Sequence, residues 1–497
     1  MSFKSTILRT FFSLRSRSIE RFRRHPAGTQ RRQLEQLLRE SAKTEFGRKY
    51  DFASIRTPEE FARRVERFDY GSFKYYLDRM MSGHADVTAP GRVRWFARSS
   101  GTTSERSKYL PVTDVSLWRC HTRGLRDVAT LYVGQYPSTR VFDGKTLTLG
   151  GSCSKQHGIV TGDLSALLIE RTPFWSGWFR TPRRETALLT DFDEKVERIC
   201  RECSSERVTA FAGVPSWNLA LLRRMVEFTG RRNLCEVWPQ LELFVHGGVG
   251  FEPYRAAFRE LIPSEGMHYM ETYNASEGFF AIADDVTRDD MLLMLDYATY
   301  YEFRDGDEVV PLEGVQAGRR YALLISSSNG LWRYELGDVV EFTSTDPYRI
   351  RVAGRTRQFI NAFGEELVME NAERAVTVAA AKSGAVVGEY TAAPRYMTLH
   401  GQGAHEWIVE FVRVPERFET FAEALDSELM RLNSDYEAKR RSTMAPPVMH
   451  AVPTGTFARW MLSRGKNKVP RLSNDRRVLE DVLATISEKR AADEVTG

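Results

Sequence analysis

The stretch from Arg92 to Pro111 constrains the chain most. A strand-like run over 92–97 leads into Ser99-Ser100-Gly101-Thr102-Thr103-Ser104-Glu105-Arg106-Ser107-Lys108, and Pro111 closes it. Small side chains leave the backbone N–H groups accessible, and Gly101 reaches conformations closed to other residues. The hydroxyls add donors and Lys108 adds a fixed positive charge, so these residues can form an anion cradle. It is not a Walker A loop, which needs G-x-x-x-x-G-K-[ST] and runs straight into a helix. Here Tyr109 follows Lys108 and a single glycine is present. An ordinary Ser/Thr-rich turn has the same composition, so the loop alone leaves both readings open.

The rest of the chain fits an α/β architecture. Helix-period segments cover roughly 6–45, with Leu34, Leu37 and Leu38 on one stripe. Another helix is expected from Thr57-Pro58, where proline suits the first turn and Glu59 and Glu60 suit its positive end. Further helices are expected near 114–133, 191–205 and 214–230, and strands near 145–149, 241–245, 278–283, 291–295, 321–327 and 338–342. This alternation over the first 350 residues favours α/β. The segment from Arg349 to Leu367 reads as strand, Gly-Arg turn, strand, glycine, then a helix opening with Glu365 and Glu366. A domain boundary is placed there. It gives a large domain over 1–355, including a basic helical segment over 1–45, and a smaller α+β domain over 356–497.

With 497 residues, 42% of them hydrophobic, the chain can bury more than one core. Its 71 basic and 66 acidic residues leave a net charge of only +5. That suits a small anionic ligand and gives no reason to expect nucleic acid. Five cysteines at irregular spacing make a poor disulfide framework and point to a reducing, cytoplasmic setting. Cys200 and Cys203 form a C-x-x-C in a charged helical pattern with no second pair, and are read as neighbours on one helix. No apolar run approaches the roughly 20 residues that span a bilayer. The basic N-terminus reads first as a helix packed on the body, with membrane contact as the alternative. The aromatic groups Trp175, Trp178, Phe179 and Tyr297 to Phe303 are assigned to core packing before an apolar acid pocket.

The order of several motifs carries a resemblance. Ser99-Ser100-Gly101-Thr102-Thr103 with Lys108 at the tenth position resembles the phosphate loop of adenylate-forming enzymes, the superfamily of acyl-CoA synthetases and firefly luciferase. It is more similar to the loop of the GH3 acyl acid–amido synthetases, with Thr103 and Glu105 replacing a serine and a glycine. Tyr273-Asn274-Ala275-Ser276-Glu277 resembles that family's Y-x-x-S-E. Arg333 to Asp338 resembles Y-R-x-G-D, with Glu335 in place of arginine. Gly354-Arg355 resembles the segment joining the two domains, and His246-Gly247-Gly248 lies where the superfamily has a glycine-rich adenine loop. Gly465 to Arg471 resembles the C-terminal G-x-x-K-x-P-R.

The resemblance implies a large adenylate-forming, firefly luciferase-like domain with a mobile C-terminal lid. It implies ATP and Mg2+ as cofactors. Ser99, Ser100, Gly101, Thr102, Thr103, Lys108 and Ser276 would hold phosphates, Gly247, Gly248 and Tyr273 the adenine, and Asp338 and Arg355 the ribose or phosphate. Glu277 would hold the metal, and Lys468 would be the mobile catalytic lysine, acting with Lys108 and Glu277. The implied reaction is ATP-dependent adenylation of a carboxylic acid, then transfer of the acyl group to an amine, expected to be an amino acid, by a monomeric ligase. A thioester-forming ligase shares the first half of that chemistry, and a non-catalytic nucleotide-binding protein could share the fold.

Overall fold

The computed structural model describes residues 3–100, 107–172, 177–356, 358–466 and 468–484. Among them a twelve-stranded mixed sheet forms the scaffold. One half is parallel: 145–148, 208–213, 243–247 and 268–275 lie side by side in that order. The other half is antiparallel, through 278–282, 291–293, 348–355, 334–345, 320–327 and 299–305. The strands at the junction of the halves, 268–275 and 278–282, form a tight hairpin whose turn is Ser276-Glu277. A separate four-stranded sheet carries Trp95–Ser100 and Ser107–Val112 as neighbours.

Local signals act as the side-chain chemistry dictates. Thr57 caps the Pro58–Arg64 helix by accepting the Glu60 N–H at 3.2 Å. The N-terminal helical run divides at His25-Pro26 into Phe3–Arg24 and Pro26–Ser41, because proline cannot donate to the preceding turn. The first of these helices is pinned to the body. Arg15 bonds Asp127 and Asp296, Ile19 and Phe22 are buried, and Phe12 stacks on Phe142. Among the described residues no helix is long and apolar enough to cross a membrane.

Two expectations need correction. Glu365 and Glu366 do not open a helix; the helix is Met369–Ser383, after a short strand at Leu367–Val368. Glu365 is fully buried and accepts the N–H groups of Ala362 and Phe363 and the His405 imidazole. Those partners hold it in a loop and leave its carboxylate unavailable to a helix end. Glu366 adopts a left-handed backbone, φ +41°, which no first helical turn permits. The aromatic cluster also divides. Tyr297 to Phe303 is core, but Trp178 is 71% exposed, and Trp175 lies outside the described residues.

Past residue 355 the chain builds a three-stranded sheet of 386–395, 404–413 and 448–452, with the Met369–Ser383 and Phe418–Leu432 helices packed together. One apolar cluster runs across the boundary. Phe211, Leu219, Phe244 and Tyr254 on one side join Ile360, Phe363, Trp407 and Phe421 on the other. Tyr254 also donates to the Ala362 carbonyl at 2.6 Å.

Candidate active site

Ser99 pairs with Lys108, and Ser100 with Ser107, so the Ser/Thr-rich segment begins and ends on paired strands of a β-hairpin and does not lead into a helix. Gly101, Thr102, Thr103 and Glu105 lie outside the described residues. The Lys108 ammonium is 5.8 Å from the Tyr70 ring centre.

Glu277 lies in the hairpin turn at the sheet junction. The buried Asn329 holds its carbonyl at 2.9 Å. Burial pushes its carboxyl up to about 7. Lys108 opposes that shift, and the Asp338 and Glu366 carboxylates add to it. The charges of Lys108, Asp338 and Glu366, from three other chain segments, thus all act on Glu277.

Asp338 lies in a strand directly paired with Arg355. Its two oxygens take the Tyr273 hydroxyl at 2.5 Å and Arg355 Nε at 2.9 Å. A carboxylate offers about four acceptor positions, so two remain for a ligand. Burial raises the Asp338 carboxyl, and Arg355 opposes it. Arg355 also pairs with Glu366 at 2.9 Å. Burial works against its charge, but Glu366, Asp338 and Glu277 outweigh it and hold the guanidinium above its usual range. The left-handed backbone at Glu366 therefore aims a carboxylate at the end of the strand that carries Arg355.

Tyr273 is buried in the main core and packs on Phe280 with ring centres 4.9 Å apart. Its hydroxyl donates to Asp338. Gly247 also has a structural cause. A Cβ there would lie 2.3 Å from the Thr272 carbonyl oxygen of the neighbouring strand. Gly248 adopts φ +83°, and its carbonyl accepts Asn361 Nδ2 at 3.2 Å. The glycine loop thus meets the segment joining the two units. Beside it His246 stacks on Phe251 and is driven down to about 3, so the ring is neutral at pH 7.

Lys468 is not brought to this cluster. It is exposed and makes no hydrogen bond or ion pair with another described residue. The chain just after it is anchored: Val469 is buried, Pro470 accepts from Thr391, and Arg471 N–H donates to Gln358 next to the junction. The small unit instead presents the Ser434–Arg440 helix to the hairpin that carries Ser99 and Lys108. Ser434 Oγ lies 2.8 Å from Ser107 Oγ. Ser107 lies within the loop motif, but Asn329, Asn361, Glu366 and Ser434 were not legible as site residues. Each owes its place to a turn or a long-range contact, without a local pattern.

Cys200 and Cys203 are structural. Both are fully buried on the Phe192–Cys203 helix, and burial pushes their thiols up to about 11 and 12. No group of three His, Cys, Asp or Glu side chains that could hold a metal occurs among the described residues.

Residues 15–267 match the GH3 family N-terminal domain, 292–355 the GH3 family central domain, and 370–477 the GH3 family C-terminal domain. The chain belongs to the GH3 family. The central match ends at Arg355 and the C-terminal match begins at Glu370, so residues 356–369, which carry Asn361 and Glu366, lie between them. The indole-3-acetic acid-amido synthetase GH3.4 of Arabidopsis thaliana is 22% identical over 550 residues, covering 91% of this chain and 90% of that protein. The synthetase GH3.3 of the same plant is 26% identical over 195 residues, covering 35% of this chain and 33% of that protein. The matched stretch thus spans from a third to nine tenths of these relatives. Among solved structures, the GH3.15 acyl acid amido synthetase superposes with a TM-score of 0.58 at 18% identity, covering 92% of this chain and 93% of that one. A 2-hydroxyisobutyryl-CoA ligase, complexed with 2-HIB-AMP and CoA in the thioesterification state, gives 0.59 at 14% identity, covering 93% and 92%. The fold is that of the adenylate-forming enzymes.

Proposed function

We propose that the protein activates a carboxylic acid with ATP as an acyl-adenylate and then transfers the acyl group to an amine, an amino acid by preference. The observation that carries this reading is the convergence of Lys108, Glu277, Asp338, Arg355 and Glu366 at the sheet junction, beside the phosphate hairpin and the glycine loop. The family membership and the relatives' names support the same chemistry.

In the first step the substrate carboxylate attacks the α-phosphate and pyrophosphate leaves. Both reactants are anionic, so positive charge fixed in advance lowers the barrier. Lys108 supplies it, with Ser99, Ser100 and Ser276 as hydroxyl donors. Asp338, oriented by Tyr273 and Arg355, accepts from the ribose hydroxyls, and the Gly247-Gly248 backbone lies along the base. The donor set suits Mg2+, which prefers oxygen ligands and shares them with phosphates. Glu277 offers one carboxylate that burial, with Asp338 and Glu366, pushes up, and a cation there would favour its charged form. Bound Mg2+ would neutralise charge on the departing pyrophosphate.

The exposed position of Lys468 fits a small domain that turns between the half-reactions, with hinge changes confined to a few residues near Gly354 to Glu366. In the arrangement described, the Ser434–Arg440 helix covers the hairpin. Turning the domain would bring Lys468 to the α-phosphate for adenylation.

Pyrophosphate release across a panel of aryl, indole and fatty acids, repeated with amino acids, tests the reading. Acid-dependent release and an amide product support it. Coenzyme A-dependent thioester formation would replace the second half of the proposal. Nucleotide binding with no pyrophosphate release for any acid would remove catalysis.

A further inference from the structure

The Ser434–Arg440 helix carries two opposite charges, Asp435 and Lys439, that make no direct hydrogen bond or ion pair with a described residue. Lys439 is only 8% exposed, yet its ammonium has no hydrogen-bond acceptor and no ion-pair partner among the described residues. It lies 4.2 Å from the centre of the Trp217 ring and closes on Gly364, where an added Cβ would stand 3.2 Å from Lys439 Cε. Trp217 Nε1 is itself buried without an acceptor. One helical turn earlier, Asp435 is half-buried and its carboxylate makes no hydrogen bond or ion pair with a described residue. Burial pushes that carboxyl up to about 7. Lys439 and Arg98 pull it down, and Asp163 and Glu366 push it further up.

The position of the pair is fixed by the surrounding bonds. Asn433, fully buried, caps the helix by accepting the N–H groups of Asp435 and Tyr436 at 2.9 Å. Its amide donates to the Glu365 carbonyl at 2.9 Å and the Glu366 carbonyl at 3.3 Å. The Ser434–Ser107 contact sets the helix on the phosphate hairpin. Asp435 and Lys439 therefore lie at the boundary between the two units, next to the residues that would hold the adenylate.

Neither the Lys439 ammonium nor the Asp435 carboxylate is among the sealed, partnerless polar atoms, so both are open to a ligand from outside. One ligand that carries the complementary charges can take up both with charge-assisted contacts. Residues four apart on a helix have Cβ atoms about 5–6 Å apart, a separation that a small zwitterion can bridge.

We infer that Lys439 and Asp435 form the acceptor site for an α-amino acid, Lys439 with Trp217 Nε1 taking its carboxylate and Asp435 taking its ammonium. This rests on the adenylation proposed above. Asp435 accepts one proton from the ammonium and frees the nitrogen lone pair. That pair forms the C–N bond to the acyl carbon while the C–O bond to AMP breaks, leaving its electrons on the phosphate oxygen. The second proton of the new ammonium leaves to the departing phosphate or water. Small-domain placement would then do two things in sequence: bring Lys468 for adenylation, and bring Lys439 and Asp435 for transfer.

The test compares two half-reactions in the full-length protein, using the acid that gives the fastest ATP–pyrophosphate exchange. Alanine, its decarboxylated counterpart ethylamine, and hydroxylamine, which is neutral at pH 7 and has no carboxylate, serve as acceptors. Lys439→Gln and Lys439→Met should raise the KM for alanine roughly 10- to 100-fold, as expected for a lost charge-assisted contact. Exchange and hydroxamate formation should stay within about twofold. Lys439→Arg should recover part of the KM. Asp435→Asn should lower kcat for alanine on the order of 10²-fold at pH 7, with a smaller deficit at pH 9, and Asp435→Glu should restore activity. Equal losses in exchange, hydroxamate and amide would show that the two residues support the fold or the first step, and would overturn the assignment. An unchanged alanine KM in the Lys439 variants would overturn it too. If the unmodified protein shows no exchange with any acid, the functional reading fails first and this inference with it.

Discussion

Replacing Arg355 by methionine removes a cation that directly pairs with both Asp338 and Glu366. Two charge-assisted contacts at 2.9 Å are lost, each worth about 1.5–3 kcal/mol. Asp338, Glu366 and Glu277 then lose the guanidinium charge that acts on all three. Breaking a buried pair costs about 3–5 kcal/mol. Because Arg355 is about one-fifth exposed, the lower end applies, about 3 kcal/mol at pH 8. The cost must depend on pH, and its sign follows from the carboxyls. Asp338 and Glu277 already sit above their unfolded values. A raised carboxyl contributes stability below its unfolded pKa and loses it as pH rises through the folded one. Removing Arg355 raises both further, so the variant takes up protons and its deficit shrinks as pH falls. Each extra bound proton restores about 1.4 kcal/mol per pH unit. The deficit should fall by about 1–2 kcal/mol between pH 8 and pH 6. Urea denaturation of both proteins at pH 6, 7 and 8 measures this. A deficit below about 1 kcal/mol at pH 8, or one that does not change with pH, would refute the electrostatic account.

Other parts of the structure give further expected outcomes. Asp338→Asn keeps the shape but loses a charged acceptor and should weaken ATP binding roughly 10-fold or more, measured by calorimetry; unchanged affinity would remove Asp338 from the nucleotide site. Arg333→Met should cost about 3–5 kcal/mol of stability, because Arg333 pairs with buried Glu302 and donates to the Ala62 and Val65 carbonyls at 2.7 Å; a melting curve that does not shift would contradict this. Cys200 and Cys203 should stay unmodified by a thiol reagent in the native protein at pH 8 and react on unfolding, as mass spectrometry can follow. Deleting residues 1–24 should lower stability, because Arg15 would leave Asp127 and Asp296 unpaired, and an unaltered melting temperature would count against the packed role of that helix.

The architecture was readable where local chemistry and tertiary demand agree. Thr57-Pro58-Glu59-Glu60 is a helix start on its own terms, and the structure uses it as one. The order of the motifs carried the fold: Tyr273 and Asp338 lie on strands of the twelve-stranded sheet, and Ser99 and Lys108 on paired strands of the separate four-stranded one. What stayed hidden depends on partners distant in sequence. Glu365 and Glu366 have the composition of a helix start, but two backbone amides and His405 claim the first, and Arg355 claims the second. Tyr273 and Gly247 also have structural duties that no motif announces: one donates to Asp338, and the other lets two strands approach. The Ser434–Arg440 helix has no motif at all. Its importance comes only from lying against the phosphate hairpin, a placement set by Asn433 and Ser107.

The account's central claim is attack of a substrate carboxylate on the α-phosphate of ATP. It is tested most directly with an acid carrying 18O in its carboxyl group. Complete turnover with an amino acid should deliver one labelled oxygen into AMP and leave the other in the amide carbonyl. Label in inorganic phosphate with ADP as the product, or AMP without label, would contradict it.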